Sequence, residues 1–147
     1  MDFQYTDGGR EAAGYKGSVG DCAVRAVAIA TGKSYQKVYD GINQIVRAER
    51  RPNRLDVSSA RNGVFRETLT KYLESIGWEW IPTMKIGSGC KVHMRKEELP
   101  AGRIIVRLSR HYAAVIDGTL FDTYNNSRNG TRCVYGYWRK NVVSTIG

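Results

Sequence analysis

Cys22 follows a glycine-rich stretch and opens an apolar run, Ala23-Val24-Arg25-Ala26-Val27. A cysteine in the first turn of a helix meets free backbone N–H groups and the positive end of the helix dipole. Both favour the thiolate, the nucleophilic form, over a free thiol of pKa about 8.5. Most cysteines simply pack as small hydrophobes, so position alone does not make a nucleophile. The second signal lies around Asp117-Gly118, a dipeptide suited to a two-residue hairpin because both central positions of the favoured turn need positive φ. With those two residues in the turn, 116 faces 119 and 113 faces 122. His111 and Asp122 then share one face as diagonal neighbours, within side-chain reach. A carboxylate so placed accepts from one imidazole nitrogen and leaves the other for a thiol. Asp117 sits in the turn and cannot serve. A three-residue loop would put His111 and Asp122 on opposite faces, so the pairing depends on the turn. Cys22, His111 and Asp122 are unspecific separately; together they have the composition of a thiol hydrolase.

The elements that must position these three are legible from periodicity. Residues 8–20 hold Gly8, Gly9, Gly14, Gly17 and Gly20 and are expected to be an extended loop. A buried helix is predicted over 21–31, with Gly32 as its stop. Ser34 caps a second, with Tyr35, Val38, Tyr39, Ile42, Ile45 and Val46 on one face. Phe65, Leu69, Tyr72, Leu73 and Ile76 define a third, ending at Gly77. Strands follow over 78–81, 103–108, 110–116, 119–125 and 133–139, with a loop and a short helical piece over 82–100. The expected architecture is α+β, N-terminal helices packed on a C-terminal antiparallel sheet, and 147 residues suit one domain.

Composition is that of a soluble globular chain, 41% hydrophobic and 25% charged. The first ten residues lack the order of a secretory signal, and no apolar run approaches the ~18 residues needed to span a bilayer. The expectation is a cytoplasmic protein without a membrane span. Three cysteines, Cys22, Cys90 and Cys133, lack framework spacing and are expected to be free thiols. Cys90 and His93 have ligand-like spacing and Cys133 could join them, but structural zinc takes four ligands and no second close pair exists. No metal or other cofactor is expected. His93, among the basic and polar residues 91–96, reads as solvated.

The net charge of +9 would attract polyanions, although scattered basic residues also serve as a solubilising surface. Arg47, Arg50, Arg51, Arg54 and Arg61 are the densest cluster. Arg50, Arg51 and Arg54 are the candidates for nonspecific nucleic-acid contact. Tyr124, Tyr135, Tyr137 and Trp138 could stack on bases, but at strand spacing such residues more often pack a sheet.

The run Gly20-Asp21-Cys22-Ala23-Val24-Arg25-Ala26, with His111 opening one strand and Asp122 in the next, resembles the papain-like cysteine peptidase superfamily. In particular it resembles small bacteriophage-encoded members and, more distantly, the NlpC-type cell-wall peptidases, in which an Asp-Cys pair also opens the helix. The resemblance covers most of the chain in order and kind of element. It implies Cys22 as nucleophile, His111 as base and Asp122 as third member, acting on a protein, isopeptide or cell-wall peptide. Papain has a Gln six residues before its cysteine that helps hold the oxyanion; here that position is Lys16, so Tyr15, Lys16 and Ser18 are the candidate side-chain donors. The alternative is an inactive papain-like module that binds nucleic acid or a partner protein.

Overall fold

A computed structural model of the chain describes residues 1–16, 20–49 and 58–141. Three helices precede most of a six-stranded sheet of order β1-β5-β4-β3-β6-β2. Helix α1, Cys22–Thr31, is apolar nearly all round, and Ala23, Ala26, Ala28 and Ala30 let it approach the sheet closely. It ends where Gly32 turns left-handed and donates its N–H to the Ala28 carbonyl. Helix α2, Tyr35–Ala48, starts at Ser34, whose hydroxyl accepts from the Lys37 N–H at 3.2 Å. It buries Tyr35, Val38 and Ile42. Helix α3, Arg66–Ser75, buries Leu69, Tyr72 and Leu73.

The strands are β1 (Asp2–Tyr5), β2 (Trp78–Pro82), β3 (Arg103–Leu108), β4 (His111–Ile116), β5 (Thr119–Asp122) and β6 (Gly136–Lys140). Alternation along them divides the core. Ile105, Tyr112, Ala114 and Trp138 pack with the helices, while Ile104, Val106, Ala113, Val115 and Leu120 pack with Met94, Leu99 and Val134. The β4–β5 hairpin has the expected register, Ile116 opposite Thr119 and Ala114 opposite Phe121, with Asp117 and Gly118 both at positive φ.

Several expectations are corrected. The sheet is mixed rather than antiparallel: β1 pairs in parallel with β5, Tyr5 opposite Asp122. Its four residues, Asp2, Phe3, Gln4 and Tyr5, alternate polar and aromatic, but the run is short and only Phe3 is half-buried. Residues 8–14, expected to be extended, form successive turns in which Ala13 N–H bonds the Gly9 carbonyl and Tyr15 N–H bonds the Arg10 carbonyl. The last strand begins at Gly136 rather than 133, because Cys133 pairs instead with His93 in an isolated bridge.

That bridge also overturns the reading of three free thiols. Val134 N–H bonds the Val92 carbonyl and Met94 N–H bonds the Arg132 carbonyl, which brings Cys90 and Cys133 into a disulfide with Cα atoms 5.9 Å apart. Cys22 is the one free cysteine. His93 is half-buried and its Nδ1 lies 3.1 Å from Glu98 Oε1, so it is partnered rather than solvated. Intact mass without reductant should show one alkylatable thiol, and three after reduction in denaturant. A disulfide closing a 43-residue separation contributes about 4 kcal/mol by chain entropy, so reduction should lower urea stability by up to that amount. Unchanged stability with three thiols already free would show the bond does not form.

Among the described residues no helix is long and apolar enough to cross a membrane.

Candidate active site

Cys22 is the first residue of α1, half-buried, and α1 packs against β4. Asp21 holds the capping position, yet its carboxylate makes no capping hydrogen bond. Its oxygens are committed elsewhere: Oδ1 pairs with Arg25 Nη1, while Oδ2 accepts from the Tyr35 hydroxyl at 2.5 Å and lies 3.2 Å from Arg10 Nε. The N–H groups of the first turn, Cys22 included, are therefore not covered by the residue that would ordinarily cap them. Gly20 is required just before. A Cβ there would stand 2.6 Å from the Asn62 carbonyl oxygen, so only glycine lets that loop come so close.

The hairpin delivers the base and its partner. His111 opens β4 and Asp122 closes β5, and His111 Nε2 lies 2.6 Å from Asp122 Oδ2 with both side chains buried. Nδ1 is then the nitrogen left for the thiol, and the Cys22 sulfur is near enough to favour the imidazolium by hydrogen bond and charge. Burial works against that cation, but Asp122 and Cys22 outweigh it and raise the His111 pKa to about 9. Tyr124, half exposed, lies against the imidazole with ring centroids 5.5 Å apart.

Asp122 is held from several sides. Thr123 N–H donates to Oδ1 at 2.7 Å, Asn126 Nδ2 donates to Oδ2 at 2.7 Å, and Arg25 Nη2 approaches Oδ1 at 3.6 Å. Burial opposes its ionisation; the His111 hydrogen bond and charge, the Thr123 N–H and Arg25 prevail and keep the carboxyl below its ordinary range. The backbone is fixed too, since Thr6 N–H, just past β1, bonds the Asp122 carbonyl at 2.9 Å.

Cys22, His111 and Asp122 thus come together. The oxyanion candidates do not assemble in the same way. Tyr15 stacks on Tyr35 and Tyr39 and its hydroxyl donates to Gln36 at 2.7 Å, which commits it there. Lys16 is exposed, and Ser18 lies outside the described residues. So do Arg50, Arg51 and Arg54; Arg47 and Arg61 are exposed. The zinc alternative loses its sulfurs to the disulfide, and no group of three His, Cys, Asp or Glu among the described residues is placed to hold a metal. Sequence reasoning gave Asp21 and Arg25 no role in the site. The i,i+4 spacing of Asp21 and Arg25 was the available signal for the pair.

Comparison of the chain with protein families, curated proteins and solved structures finds no match.

Proposed function

We propose that this chain is a papain-like cysteine hydrolase, a peptidase or amidase acting on a protein, isopeptide or cell-wall peptide. The observation that carries the reading is one imidazole bonded through Nε2 to a buried carboxylate while the sulfur of a helix-start cysteine stands beside it. In that arrangement the Cys22 thiolate attacks the carbonyl carbon, and the negative oxygen that develops is met by the uncapped N–H groups of the first turn of α1. The proton on His111 Nδ1 passes to the leaving amine, the C–N bond breaks, and a thioester remains on Cys22. Water then attacks the thioester carbonyl and gives a proton to His111, the C–S bond breaks, the acid leaves, and the Cys22 thiolate beside a protonated His111 is restored. An amine in place of water would make the same site an acyl transferase. Asp122 remains ionised throughout and fixes the tautomer.

Iodoacetamide at pH 6 tests the thiol directly, read by peptide mapping with glutathione as the reference. Cys22 should react at least tenfold faster than glutathione, because the first turn of α1 and the neighbouring imidazolium stabilise the negative charge the sulfur carries as a nucleophile. Hydrolysis should decline as pH rises through about 9, where His111 loses the proton the leaving amine needs. A Cys22 no more reactive than glutathione would sink this reading in favour of an inactive module holding a partner protein or, through the net charge of +9, nucleic acid.

A further inference from the structure

We infer that Arg25 is a positioning residue of this site: from the second turn of α1 it bridges Asp21 and Asp122 and so sets the carboxylate that orients His111. The inference rests on the reading of Cys22, His111 and Asp122 as one site, but it concerns a residue and a contact that reading does not use.

Arg25 stands one helical turn after Cys22 and its side chain is only 11% exposed. Nη1 pairs with Asp21 Oδ1 and Nη2 reaches Asp122 Oδ1 at 3.6 Å. Asp21 is fully buried, and a buried carboxylate is costly unless it is paired and hydrogen-bonded. It is held by Arg10, Arg25 and the Tyr35 hydroxyl, a neutral donor whose pKa burial and Asp21 both push upward. Asp21 therefore acts as an anchor that fixes one edge of the guanidinium, leaving the other edge aimed at Asp122.

The charges around the site balance. Arg10 and Arg25 offset Asp21 and Asp122, and moving a proton from Cys22 to His111 adds one charge of each sign without changing the sum. Other titratable groups facing this cluster are Tyr35 on Asp21, Tyr124 against the His111 ring, and Tyr112, whose pKa is raised by burial and also feels Cys22. Removing the Arg25 charge leaves two carboxylates facing one remaining arginine. The imidazolium is then favoured further, while Asp122 loses one of the contacts that hold its carboxylate, the one made to Oδ1 by Arg25. A planar, forked guanidinium can bridge two carboxylates at once, and an ammonium cannot hold the same two-sided geometry.

The test uses the full chain and reads His111 by NMR, through its imidazole titration midpoint and the exchange rate of the Nε2 proton shared with Asp122. In Arg25→Gln the midpoint should rise by about one pH unit, on the order expected for losing one nearby charge in partly buried surroundings. Exchange of the Nε2 proton should quicken by about tenfold or more as Asp122 loosens. Arg25→Lys should restore the midpoint but not the slow exchange. A wild-type midpoint in Arg25→Gln would overturn the inference, since a merely structural defect has no reason to raise it. If Arg25→Gln does not fold, Arg25→Lys decides: faster Nε2 exchange at an unchanged midpoint supports the bridge, and wild-type exchange overturns it. Neither readout requires hydrolysis. An unreactive Cys22 in the wild type would thus remove the proposed activity while leaving the Arg25 contact to be judged separately.

Discussion

Cys22→Ser and His111→Ala are each expected to lower amide hydrolysis by on the order of 10⁴ or more, because nucleophile and base act as a unit and the loss of either removes the covalent route. The fold should survive both changes. Ser is nearly isosteric with Cys at a half-buried helix start. With His111 removed, Asp122 keeps the Thr123 N–H, the Asn126 amide and Arg25. Circular dichroism and urea midpoints check the fold, and turnover of a fluorogenic peptide or of casein checks the chemistry. His111→Ala should also bring the pH 6 alkylation of Cys22 down to the rate of an ordinary thiol. Retained hydrolysis in Cys22→Ser would exclude Cys22 as the nucleophile.

Asp122→Asn carries the second largest effect. It keeps the shape but removes the charge that stabilises imidazolium and fixes the His111 tautomer. The expected result is a fall in kcat on the order of 10³ to 10⁴ with KM little changed, since the interaction strengthens mainly in the transition state. Arg25 retains Asp21 in this variant, so the stability loss should fall below the ~3–5 kcal/mol typical of a buried charge left without compensation. Asn126→Ala provides the contrast. Its buried amide is one of several donors to Asp122, and its loss should cost less activity because the Thr123 N–H and His111 still hold the carboxylate. If Asp122→Asn were nearly silent and Asn126→Ala severe, the third member would be Asn126.

What the sequence by itself determined was local. Gly32 and Ser34 bounded α1 and α2 because the left-handed stop and the hydroxyl cap act within a few residues. Asp117-Gly118 fixed the parity of the hairpin, and that parity alone placed His111 and Asp122 together across eleven residues. Tertiary structure decided whatever depended on strands meeting across long separations. Tyr5 lies beside Asp122 in a parallel pairing that residues 2–5 do not announce: Asp2, Phe3, Gln4 and Tyr5 alternate polar and aromatic, but four residues do not encode which distant strand they join. Cys90 and Cys133 meet because backbone hydrogen bonds align residues 92–94 with 132–134, a register that cysteine spacing does not encode. Asp21 stands at the capping position of α1, but burial beside Arg10, Arg25 and Tyr35 commits its carboxylate to the charges that surround the site instead of to the first-turn N–H groups. Capping and turn preferences are properties of a few adjacent residues, whereas ion pairing in the interior depends on which distant side chains the folded backbone brings within a few ångströms.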